Sequence, residues 1–90
     1  NIASVIAAHP EIVSVSIEGH TDARGNAARN RALSQRRANS VMTYLSQHGV
    51  EASRLSATGY GPDRPVIPNA TSPEEHEANR RVEFRLTMAQ

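Results

Sequence analysis

Two side chains of opposite charge carry the chemistry that this sequence offers. Asp22 follows directly on an alternating apolar and polar segment, and Arg37 lies further on in a run of helix formers. On a helix, Arg37 stands four residues from Leu33 and four from Val41, with Asn30 one turn before Leu33. Leu33, Val41, Tyr44 and Leu45 then form an apolar stripe that also presents an amide and a guanidinium. An arginine on an apolar face requires a partner, and the nearest acid in the layout is Asp22. Two arrangements meet that requirement. Asp22 and Arg37 close on each other as an ion pair that ties a loop to a helix, or they stand apart across one cleft and hold a zwitterion. In the second case the carboxylate takes an ammonium and the guanidinium forks onto a carboxylate.

Other groupings carry less. His20-Thr21-Asp22 and Glu75-His76-Glu77 have neither the H-E-x-x-H spacing nor a cysteine set, so no metal is expected. Ser34, His20 and Asp22 contain the atoms of a hydrolytic triad, but no G-x-S-x-G elbow presents the serine. Inside a helix the Ser34 hydroxyl is expected to bond a backbone carbonyl. His20 is expected to orient the loop by a bond from its ring to the backbone.

The elements that must position these groups follow from periodicity. Residues 1–9 place Ile2, Val5, Ile6 and His9 at helical spacing, and Pro10 stops the helix. Residues 11–19 form a strand, in which Val13, Val15 and Ile17 alternate with Ser14, Ser16 and Glu18. Thr21, Asp22, Gly25 and Asn26 supply turn chemistry, and a long helix then runs from about Asn26 to His48, with Gly49 at its left-handed stop. Residues 54–59 form a second strand, parallel to the first across the helix. Residues 61–71 are a loop broken by three prolines. Ser72, Pro73 and Glu75 open a short helix with a capping box. In the last strand, residues 81–88, Val82, Phe84, Leu86 and Met88 point inward. The reading is an α/β chain, an α+β-like two-layer sandwich, with a βαβ-containing mixed sheet, helices on one face and the other face wet. Arg80 and Arg81 point to opposite faces, one toward the cleft.

The order G-H-T-D, Gly25, N-x-x-L-S-x-x-R-A from Asn30 to Ala38, Gly59-Tyr60-Gly61 and N-R-R-V-E from Asn79 to Glu83 resembles the OmpA-like carboxy-terminal domain. The resemblance covers residues 13–86. It implies a periplasmic domain of Gram-negative bacteria that binds peptidoglycan non-covalently and is not an enzyme. The ligand it implies is meso-diaminopimelate in the stem peptide, held at the positions of Asp22 and Arg37, with Asn30 and Arg80 lining the same site. The loop from Thr21 to Gly25 would offer backbone N–H donors to the ligand carboxylate, aided by the helix amino end. Arg24 stands at a loop position that varies in the family, where it bears on the ligand contacts. The family's first strand is missing here, since the chain opens on a helix. Outer-membrane attachment, by an anchor or a barrel, is therefore expected upstream of residue 1. Porin-like proteins, lipoproteins and motor stators share these motifs. Some relatives bind envelope proteins, so a protein-interaction module with an internal Asp22–Arg37 pair is the alternative, and a cell-wall hydrolase such as an amidase is a further one.

Composition narrows the partners. Ninety residues suffice for a single domain over the whole chain, 1–90, with a modest core. A formal charge of +1 and three aromatic residues do not suit a nucleic-acid surface. There is no cysteine, no cofactor motif and no apolar run of membrane-spanning length.

Overall fold

The computed structural model describes residues 2–89; Asn1, expected to open the first helix, lies outside the described residues. The elements are α1 (Ile2–Ala8), β1 (Ile12–His20), α2 (Ala27–Gln47), β2 (Leu55–Gly61), α3 (Pro73–Asn79) and β3 (Arg81–Met88), with a single 3₁₀ turn at Ala52–Arg54. The sheet order is β2-β1-β3. β1 runs parallel to β2 and antiparallel to β3, so the mixed sheet and its βαβ unit stand as expected. No strand precedes α1 among the described residues, and β3 is an edge strand.

The core lies between the helices and one face of β1. Ala3 and Ile6 of α1, Ile12, Val15 and Ile17 of β1, Ala38 and Leu45 of α2, and Val50 form one buried cluster. Val13, expected to point inward, is exposed. The pairing with β3 shifts between Ile12 and Ser14, and that bulge turns Ile12 inward in place of Val13.

The long helix is capped as its sequence requires. The Asn26 side chain accepts the Arg29 amide at 2.9 Å, and Gly49 adopts φ +100° just past the end. Its buried face differs from the expected stripe. Ser34, Ala38 and Leu45 are buried, whereas Tyr44 and Arg37 are exposed and Leu33 is half-buried. The helix has rolled so that its small residues meet the sheet.

The cause is a pair of glycines. Gly19 on β1 and Gly59 on β2 lie side by side in the parallel register. A Cβ on Gly19 would stand 2.3 Å from the Ser34 carbonyl oxygen, and one on Gly59 would stand 2.2 Å from the Gln35 nitrogen. Only glycine permits that approach. Polar bonds then lock the contact. Gln35 donates to the Ala57 carbonyl at 3.0 Å and accepts the Gly59 amide at 2.8 Å. The Ser34 hydroxyl donates to the Arg31 carbonyl, the backbone bond expected for it, and also accepts the Gly61 amide, both at 2.9 Å.

β2 ends two residues beyond the expected Gly59, at Gly61, whose φ of +58° suits glycine. On α3 the capping box between Ser72 and Glu75 is complete, with Pro73 in the first turn. β3 departs from expectation in its burial. Val82, Phe84 and Leu86 pair with Gly19, Ile17 and Val15 and so share the core face. Yet Phe84, Leu86 and Met88 are 38%, 45% and 49% exposed. α2 packs on β2 and β1, and the apolar side of β3 extends beyond that cover.

Gly59→Ala is expected to lower the unfolding free energy by about 1–3 kcal/mol, because the new methyl must push α2 off the sheet. Urea denaturation checks it; an unchanged midpoint would show that the close approach is not a constraint.

Candidate functional site

The carboxyl end of β1, the turn behind it and the amino end of α2 enclose a cavity of about 400 Å³. It is lined by Thr21, Asp22, Arg24, Gly25, Asn30, Leu33, Arg37 and Arg80. The six candidate residues that the sequence points to are thus brought around one space, together with Gly25 and Leu33.

Thr21 and Asp22 are buried. The Thr21 amide continues the β1–β2 pairing by donating to the Gly61 carbonyl at 2.9 Å. The Thr21 hydroxyl donates to the Asp22 carbonyl at 2.9 Å. The Asp22 carboxylate is saturated. Its Oδ1 accepts the Arg24 amide at 2.9 Å and Arg24 Nε at 3.4 Å. Its Oδ2 accepts Arg24 Nη2 at 3.0 Å and Arg80 Nη1 at 2.7 Å. The Arg24 guanidinium, with Arg80 and the Arg24 amide behind it, holds the carboxyl well below the usual aspartate range despite burial.

Of the two arrangements open to Asp22 and Arg37, the closed ion pair is therefore not formed. Asp22 takes Arg24 because the turn already brings the Arg24 amide onto its carboxylate. It takes Arg80 because β3 starts beside the end of β1, with His20 opposite Arg81. Arg37 is exposed on α2, lines the cavity, and its guanidinium makes no ion pair among the described residues. Asn30 works on the loop: its amide donates to the Arg24 carbonyl at 2.8 Å and braces the turn against the helix. The amides of Thr21 and Arg24, expected as donors to a ligand, are already engaged by Gly61 and Asp22.

The other face of the sheet is not simply wet. Glu18 and His20 are buried there, Glu18 accepting Arg85 Nε at 3.2 Å. His20 does not bond the backbone as expected: neither ring nitrogen has a hydrogen-bond partner. Its ring stacks on Tyr60, with centroids 5.5 Å apart, and the Arg64 guanidinium lies 3.8 Å from the Tyr60 centroid. Arg81 does point away from the cleft, but it is bonded, not solvated. It pairs with Glu83 and donates to the Asn79 and Arg64 carbonyls at 3.2 and 2.9 Å.

Sequence reasoning missed Gln35, which pins α2 to β2, and Arg24 as the main partner of Asp22. The spacing Asp-x-Arg across a turn was the available signal for Arg24. Chemically, the cavity combines one ionised carboxylate with three guanidinium groups and is net cationic. It suits a ligand that carries carboxylates and an amine. Among the described residues no three His, Cys, Asp or Glu side chains converge as a metal site, and no helix is long and apolar enough to cross a membrane.

Comparison with known proteins places the fold. The OmpA family profile matches residues 1–80. Outer membrane porin F of Pseudomonas aeruginosa is 48% identical over 87 residues, 96% of this chain and 24% of that protein. The C-terminal domain of Helicobacter pylori MotB superposes with a TM-score of 0.87 at 34% identity, covering 97% of this chain and 67% of that one. The peptidoglycan-associated lipoprotein of Burkholderia pseudomallei gives a TM-score of 0.87 at 31% identity, covering 96% of this chain and 71% of that one. The chain thus spans about a quarter of the length of porin F.

Burial, and then Arg81, push the His20 imidazole below its ordinary value of 6.5, against smaller opposing effects of Glu83 and Glu18. The fold thus favours neutral His20. Its contribution to stability is complete above the unfolded value and is lost as pH falls through the folded one. Asp22 acts in a separate window, its contribution fading only below the ordinary 3.8. The urea midpoint should therefore drop between about pH 7.5 and about pH 5.5, and drop less in His20→Phe, which keeps the stack on Tyr60. Proton NMR of the His20 ring should give a midpoint below 6.5; a midpoint at or above it would refute the assignment.

Proposed function

The chain belongs to the OmpA family, and on that premise we propose that it binds peptidoglycan non-covalently and so ties an envelope protein to the cell wall. The ligand group we assign to the cavity is the diaminopimelate of the stem peptide. The observation that carries this reading is that Asp22 and the ion-pair-free guanidinium of Arg37 face one open cavity. The free amino-acid centre of diaminopimelate bears an ammonium and a carboxylate on one carbon. Its ammonium belongs against Asp22 and its carboxylate against Arg37, with Arg80 beside them.

Further support comes from the relatives, one of which is named as a peptidoglycan-associated lipoprotein and another as an outer membrane porin. On this reading the domain works in the periplasm at the cell wall, as part of a protein of the outer membrane. We infer binding without cleavage. The Ser34 hydroxyl is buried and bonded to the Arg31 carbonyl and the Gly61 amide, so it is not presented to a substrate.

Each charge-assisted bond to the ligand contributes about 1.5–3 kcal/mol before ordering and desolvation. A single site of this kind binds modestly, and tethering near the wall raises its occupancy through effective concentration. Arg37→Ala, an exposed position that the fold does not need, should weaken binding of a diaminopimelate-containing muropeptide by about tenfold or more. Asp22→Ala should do the same. Calorimetric titration measures both, and equal binding by wild type and the two folded variants would sink the site assignment. Incubation with sacculi should release no soluble fragments; release would point to the hydrolase alternative.

A further inference from the structure

We propose that Arg24 is an internal occupant of the seat on Asp22 that a ligand ammonium would take, and that it acts as a displaceable gate on amine-bearing ligands. This rests on the reading of the cavity as a zwitterion site.

A carboxylate offers about four acceptor positions. In Asp22 they meet the Arg24 amide, Arg24 Nε, Arg24 Nη2 and Arg80 Nη1. An incoming ammonium cannot simply be added and must displace a donor. The Arg24 amide is fixed by the turn, since Asn30 holds the adjoining Arg24 carbonyl at 2.8 Å. Arg80 makes the shortest contact, 2.7 Å, and its side chain is 37% exposed. The Arg24 side chain is 61% exposed and its Nε contact is 3.4 Å. Among the described residues its guanidinium has no partner other than Asp22. It is therefore the donor most easily released. Its release leaves the turn intact, because the backbone bond from Arg24 to Asp22 does not depend on the side chain.

Two consequences follow from one geometry. A ligand with a free ammonium competes with Arg24 for Asp22. A ligand whose amine is blocked does not, and it leaves the Arg24–Asp22 pair in place. The gate thus lowers the apparent affinity for every amine that reaches the site, by the strength of an ion pair between an exposed guanidinium and a buried carboxylate.

The test is a titration of wild type, Arg24→Ala, Asp22→Ala and the double variant with a diaminopimelate-containing muropeptide and with its N-acetylated form. Arg24→Ala should bind the free-amine form about two- to fivefold more tightly than wild type, or tighter still: an exposed ion pair sets the lower bound, and here only the guanidinium is exposed. The acetylated form should show no such gain, and in the Asp22→Ala background removing Arg24 should change nothing. Arg24→Gln, which keeps a polar side chain without the charge, should follow Arg24→Ala. Equal or weaker binding by Arg24→Ala, while Asp22→Ala still weakens binding, overturns the gate and leaves the proposed function standing. Failure of Asp22→Ala and Arg37→Ala to weaken binding overturns the function and the gate with it.

Discussion

The structure depends on one steric constraint: the first half of α2 lies almost in backbone contact with β1 and β2. Gly19 and Gly59, neighbours in the parallel register, leave the space, and Ser34 and Gln35 fill it. Dispersion at this distance is reinforced by polar bonds from both side chains to the strand backbone. The contact fixes the roll of the helix about its axis. With Ser34 and Ala38 turned down, Arg37 is turned to the side, and Asn30 reaches the turn that carries Asp22. Precision at the cavity therefore comes from a close helix–sheet contact, not from the loop itself.

Charge in the cavity is arranged around a single buried acid. Asp22 cannot stay buried and ionised without donors, and the turn, α3 and β3 together deliver them. Because Arg24 and Arg80 already meet that demand, Arg37 is left without an internal partner. A guanidinium on an exposed helix face carries no desolvation penalty while it waits, and it keeps its full bidentate fork for a planar anion. The same arrangement explains why the lining is net cationic although the chain as a whole carries only +1.

The two faces of the sheet are finished differently. Near the site, the side away from α2 is sealed by the stack of His20 on Tyr60 and by the bonds of Arg81. His20 is buried with both ring nitrogens unbonded, an arrangement that favours the neutral ring. At the far edge, β3 carries Phe84, Leu86 and Met88 on the core face without full cover. Its pairing partner on one side is β1, and among the described residues nothing pairs its other side.

The sequence by itself determined the elements and the capped ends of α2 and α3, though not the end of β2. Alternation, helix formers, Asn26, Gly49 and the Ser72-Pro73-Glu75 cap are local signals, and local signals depend on backbone geometry that nearby residues set. Charge and helical spacing also singled out Asp22, Arg37 and Asn30, while the OmpA-like resemblance was needed to add Arg80 and Arg24 to the turn residue Thr21. Tertiary structure alone decided who meets whom. The helix roll depends on two glycines forty residues apart in sequence coming side by side. The choice of Arg24 and Arg80 over Arg37 as partners of Asp22 depends on distances of about 3 Å. The exposure of Val13 and of β3 depends on a one-residue bulge and on where α2 ends its cover. Periodicity reports that a face is apolar; only packing decides which surface meets it.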